Sequence, residues 1–246
     1  MSASAIAAPR LWGPWASLAW SVFAIVAWFA AQVVIANSLI AWFESGAADA
    51  ATLAADGRFV AMVSLGAMNV PMVIIAVAIW STRTGLTEYL GLYWPERRYL
   101  LIGLATLAIL IPLVDLVSLL AGQAVTPKFV LDLYTSARDA GSLWLLVIAL
   151  VVTAPLVEET VFRGFLLPSL AASRIGVWGA IGLTSVGWAV LHAQYQPFYL
   201  LQIIALGIVF GWLRYRSGTT TLTILLHGLV NFIAIAQAGV IVEWFS

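Results

Sequence analysis

The feature that most restricts this chain is a run of 33 residues without a charge, spanning 11–43. About 20 apolar residues cross the hydrocarbon core of a bilayer, so this run is long enough to span with room to tilt. Further uncharged or nearly uncharged stretches cover 59–82, 99–120, 142–157, 175–195, 198–213 and 217–242, and the segments between them hold most of the charges. Only 9% of residues are charged and 63% are hydrophobic, against about 25% charged in an average soluble chain. A soluble globular fold would have too little polar surface to cover such a core. The expected fold is all-α, a polytopic transmembrane helix bundle of seven to eight helices enclosing a polar intramembrane cavity. Residues 1–246 are expected to form a single integral membrane domain, with a catalytic core over about 142–242. Seven crossings are the simplest count, and an eighth helix or a re-entrant turn would follow from the short sixth stretch and from extension of the fourth.

Eleven Lys and Arg balance eleven Asp and Glu, which leaves no basic surplus for phosphates and argues against nucleic-acid binding. There is no cysteine, hence no disulfide framework, thiolate nucleophile or sulfur-ligated metal. With seven crossings, one face receives Arg10, Arg83, Arg97, Arg98, Arg174, Arg214 and Arg216, and the other Arg58, Lys128 and Arg138. The positive-inside rule then places the first face, and the N-terminus, in the cytoplasm, with the C-terminus opposite.

A charged group near the bilayer centre costs at least about 2.5–3.5 kcal/mol on insertion scales, so each needs a partner, a wet cavity or a purpose. Asp115, Glu158, Glu159, Arg163, His192, His227 and Asn231 stand within or at the ends of the apolar stretches. Glu159 and Arg163 are four apart with the glutamate N-terminal, the favourable order for a helical ion pair. Glu158 lies about 100° around the same helix, which leaves it as the available base. Trp188 and His192 are four apart, placing an aromatic ring and an imidazole on one face. His227 and Asn231 repeat that spacing deep inside the last stretch, beside Gly228, which permits close backbone approach. Asp115 receives no chemistry, and a local structural role is its reading.

Taken singly, these motifs also suit interfacial helix ends or packing contacts. Together they supply a carboxylate, two imidazoles and an amide on three helices, with no other histidine in the chain. A carboxylate and a histidine can activate water, and a histidine and an amide can donate to an oxyanion. That set suits peptide-bond hydrolysis within a membrane. Rival readings are a proton- or ion-coupled transporter, with Asn69-Val70-Pro71 and Pro112 as helix interruptions, and a non-catalytic membrane scaffold.

The three motifs, Glu-Glu-x-x-x-Arg, then an aromatic residue-x-x-x-His, then His-x-x-x-Asn, resemble those of the CPBP family of intramembrane proteases. This family includes the type II CAAX prenyl endopeptidases and bacteriocin-processing enzymes. The likeness covers about 158–231, and the first 140 residues carry none. It implies that Glu158 and His192 activate the hydrolytic water, that His227 and Asn231 stabilise the oxyanion, and that Glu159, Arg163 and Trp188 support the site. Trp188 stands where the family usually has Phe, which keeps an aromatic shield and enlarges it. The family has been described as metallo- and as glutamate-dependent proteases. No His-Glu-x-x-His helix is present, so metal-independent catalysis with no required cofactor is the reading; zinc, were it bound, would use Glu158, His192 and His227. Implied partners are the lipid bilayer and a peptide or prenylated protein substrate.

Depth sets one further requirement. If the fourth helix ended at Val157, Glu158 and His192 would lie near opposite faces of the membrane. The helix must therefore continue to about Leu170, or the fifth must begin late or break.

Overall fold

The computed structural model describes residues 11–43 and 50–245; Arg10, counted above toward the cytoplasmic face, lies outside them. Among the described residues the protein is all-helical. The elements are α1 (Pro14–Phe43), α2 (Ala50–Ala54), α3 (Gly57–Ala67), α4 (Asn69–Trp80), α5 (Leu86–Leu90), α6 (Arg97–Leu120) and α7 (Lys128–Asp139). They continue as α8 (Leu143–Ala171), α9 (Gly176–Val190), α10 (Pro197–Ser217) and α11 (Thr220–Trp244).

Among the described residues, six segments are long and apolar enough to cross a membrane: α1, α3 with α4, α6, α8, α10 and α11. The stretch at 175–195, expected to be a seventh crossing, holds the 15-residue α9, which at 1.5 Å per residue extends about 22 Å against a core of about 30 Å. Polar His192, Gln194 and Gln196 and the following Pro197 end it early, in a turn over 191–196. Six described segments therefore meet the length for a crossing by themselves, and the expected seven to eight are not confirmed. The second segment breaks at Met68, where Pro71 has no N–H to return to the preceding turn.

Local chemistry sets the remaining ends. Pro197 opens α10, where a missing N–H costs nothing, and Gly218 closes it in a left-handed conformation (φ 73°). Thr219 then caps α11, its side chain accepting from the Thr221 N–H. The helix ends gather at two faces. At one, Trp12 joins the start of α1 to α4, α5 and α8: its N–H groups donate to Tyr89 Oη (3.0 Å) and Ala78 O (2.9 Å), and its carbonyl accepts from Ser169 Oγ (2.8 Å). At the other, Arg138 of α7 pairs with Glu243 of α11 at 2.9 Å, and Ser136 Oγ accepts from the Gly57 N–H of α3 at 2.7 Å.

Helix α7 was not anticipated from the sequence. It presents Phe129, Val130, Leu133 and Ala137 on one side, a helical spacing, and closes the second face of the bundle.

Helix α8 is the centre of the bundle. It packs against α1, α5, α9, α10 and α11, and every residue from Val157 to Leu167 is buried. A helix buried on all sides is expected to be apolar all round; this one carries Glu158, Glu159 and Arg163 at that point. It runs for 29 residues, so Glu158 sits near its middle, as the depth requirement demanded.

Candidate active site

Two π turns, Ile148–Thr153 and Thr160–Leu166, flank the acidic pair. The first has a visible cause. Pro155 has no N–H, and the Ala154 N–H reaches back five residues to Ala149 O, so neither serves the carbonyl of Leu150. That carbonyl instead accepts from Asn231 Nδ2 at 2.7 Å. One turn earlier on α11, Gly228 lies so close that an added Cβ would fall 2.6 Å from Val151 O. The wide turn of α8 is thus completed by α11, and this docking carries His227 to the carboxylates.

Glu159 and Arg163 are fully buried and joined at 3.0 Å, as their spacing indicated. The same carboxylate oxygen, Oε1, faces Nδ1 of His227 at 3.1 Å. The carboxylate can only accept, so Nδ1 carries the hydrogen. This link between α8 and α11 was not visible in the sequence, which pointed to Glu159 as the partner of Arg163 alone. Arg163 also donates to Gly207 O at 3.3 Å and stacks its guanidinium on the Trp188 ring at 4.6 Å.

Glu158, 7% exposed, is not wholly free: its Oε2 accepts a hydrogen bond from Trp188 Nε1 at 2.5 Å. The indole meets His192 and His227 edge-on, with ring centroids 5.3 and 5.1 Å away. His192, in the turn after α9, has its Nδ1 3.0 Å from the carbonyl of Trp188, which requires the hydrogen on Nδ1 and leaves Nε2 as an acceptor.

A cavity of about 300 Å³ is lined by Glu158, His192, His227 and Asn231. All four residues singled out in the sequence are brought to it, from α8, the α9–α10 turn and α11. Thr153, Gln194 and Tyr195 line it too and were missed; Tyr195 stacks on His192 at 6.2 Å. The available signal was the polar run Gln194-Tyr195-Gln196 directly after His192. Phe129, Val130 and Leu133 of α7 form part of the wall, as do Trp28, Phe29 and Gln32 of α1.

Asp115 takes no part in this cluster. Its Oδ2 accepts from Gln237 Nε2 at 2.9 Å, tying α6 to α11. The conditional zinc set also fails to form: among the described residues no three His, Cys, Asp or Glu side chains are grouped to hold a metal ion.

Fold and site together define a multi-pass helical membrane protein with carboxylate and imidazole groups buried at mid-depth around a cavity. Residues 140–233 match the family model described as type II CAAX prenyl endopeptidase Rce1-like, a span that contains every candidate residue from Glu158 to Asn231. A curated Escherichia coli protein described as an uncharacterized 24.3 kDa protein is 35% identical over 86 residues, 34% of this chain. The match covers 39% of that relative's length. No solved structure matches the chain.

Proposed function

We propose that this protein is an intramembrane endopeptidase that hydrolyses a peptide bond near the end of a membrane-associated peptide, prenylated or not, with its catalytic core over about 142–242. The observation that carries this reading is the one cavity lined by a hydrogen-bonded glutamate, two histidines whose Nδ1 atoms are engaged, and an amide.

In this mechanism Glu158 takes a proton from water while Nε2 of His192 accepts the water's second hydrogen and orients it. The hydroxide adds to the scissile carbonyl carbon. The developing oxyanion accepts from the remaining amide hydrogen of Asn231 and from Nε2–H of His227. Since His227 also donates Nδ1–H to Glu159, this role requires it to enter the reaction as an imidazolium carrying both protons throughout, whose charge Glu159 faces. Glu158 then returns its proton to the leaving nitrogen, the C–N bond breaks, and a carboxylic acid and an amine result. Glu159 and Arg163 hold His227 and the indole in place. No step uses a metal.

The arginine-rich face, with Arg97, Arg174, Arg214 and Arg216, is assigned to the cytoplasm by the positive-inside rule, with the N-terminus on that side.

The test is cleavage of a farnesylated CAAX peptide and its unprenylated counterpart by detergent-purified wild type, Glu158→Gln and His227→Ala. Turnover by the wild type, lost in both folded variants, is the expected outcome. Full activity in Glu158→Gln would refute the assignment of the base.

A further inference from the structure

We propose that Trp188 is a positioning residue: its indole N–H fixes one oxygen of Glu158, so that the other is presented to the hydrolytic water. This deepens the protease reading above and rests on it. Four observations meet here. Trp188 is buried, and its Nε1, on α9, reaches Glu158 Oε2 on α8 across 30 residues of chain. An indole N–H only donates, so the oxygen it meets is held as an acceptor. The ring cannot follow Glu158 if the carboxylate turns, because Arg163 stacks on its face at 4.6 Å and both imidazoles pack against it. Finally, the main-chain carbonyl of the same residue sets the tautomer of His192.

Trp188 therefore orients both members of the water-activating pair, one through its side chain and one through its backbone. The sequence assigned it only the role of shielding ring, and phenylalanine would fill that role equally well. The N–H is what phenylalanine lacks. A carboxylate free to rotate would spend part of its time with neither oxygen aimed at the water, and a misplacement of about 1 Å costs as much as 10²-fold in rate.

The test pairs spectroscopy with kinetics. Ultraviolet resonance Raman difference spectra, wild type minus Trp188→Phe, isolate this indole; repeated in a Glu158→Ala background, the difference should move to the position of an indole without a hydrogen-bond partner. On the farnesylated CAAX peptide, Trp188→Phe should lower kcat about 10- to 100-fold with KM changed less than about twofold. Benzothienylalanine at position 188, which keeps the ring shape and lacks the N–H, should reproduce that loss if the phenylalanine variant folds poorly. An indole band indifferent to Glu158→Ala, or a wild-type kcat in the benzothienylalanine protein, overturns the proposal. If the wild type cleaves neither peptide, the protease reading fails by itself, and the Raman pair still decides whether Trp188 holds Glu158.

Discussion

Replacing Arg163 by methionine isolates the charge at the centre of the bundle. The substitution keeps a long apolar side chain against Trp188 and Phe210 and removes the partner of Glu159, both residues being fully buried. At the observed 3.0 Å, the gross attraction is about 5.5 kcal/mol at an effective dielectric constant near 20. Desolvation of both ions offsets much of that gain when the pair forms. When one partner is removed, however, the other charge stays buried and uncompensated, at a cost of about 3–5 kcal/mol. His227 still faces Glu159 at 3.1 Å, which places the expected loss at the lower end. The double variant Arg163→Met with Glu159→Gln removes both charges and should regain most of the lost stability. Equilibrium unfolding in mixed micelles measures all four proteins. A loss below about 1 kcal/mol in Arg163→Met, or a double variant less stable than either single one, would refute the argument that this pair is a mutually compensated buried unit.

Three further outcomes are expected. Glu158→Gln should lower kcat by about 10²- to 10⁴-fold, the usual contribution of a general base, with circular dichroism and melting unchanged; an equal loss of fold would point to a structural group. Gly228→Ala places a methyl group 2.6 Å from Val151 O and should destabilise the protein by about 1–3 kcal/mol, read as a lower melting temperature in detergent. If Glu158 and His192 activate the water by themselves, chelators should leave cleavage unchanged; loss of activity restored by added zinc would overturn the metal-independent mechanism.

Much of the architecture was legible because hydrophobic length is nearly sufficient in a membrane: six of the seven apolar stretches became helices long enough to cross. The exception, α9, falls short of that length because polar residues follow it directly and stop the helix at Val190. Spacing on a single helix also carried real information. Glu159 with Arg163, and Trp188 with His192, meet as four-residue separation requires. Contacts between helices were not legible in the same way. Nothing in the spacing of α11 shows that His227 meets Glu159 rather than Glu158, or that Asn231 spends one amide hydrogen on Leu150 O. Both follow from Pro155, whose missing N–H widens α8, a cause readable in the sequence only once the neighbouring helix is known. Helix α7 was overlooked because its charged face breaks up the apolar signal, although Phe129, Val130, Leu133 and Ala137 keep a helical period.

The π turns on either side of Glu158 and Glu159 have a consequence for how this segment can change. Each turn carries one residue more than an α turn, so the pair divides α8 into lengths that are counted rather than merely filled. Deleting a single residue from 148–153 would let that turn close as a regular α turn with the two flanking halves kept in nearly their present phase. A deletion in 160–166 would be absorbed in the same way. An extra or missing residue between Leu143 and Ala171 that no wide turn absorbs, such as one beside Val157, would instead rotate one part of α8 by about 100° against the other and pull the carboxylates and the histidine of α11 out of alignment.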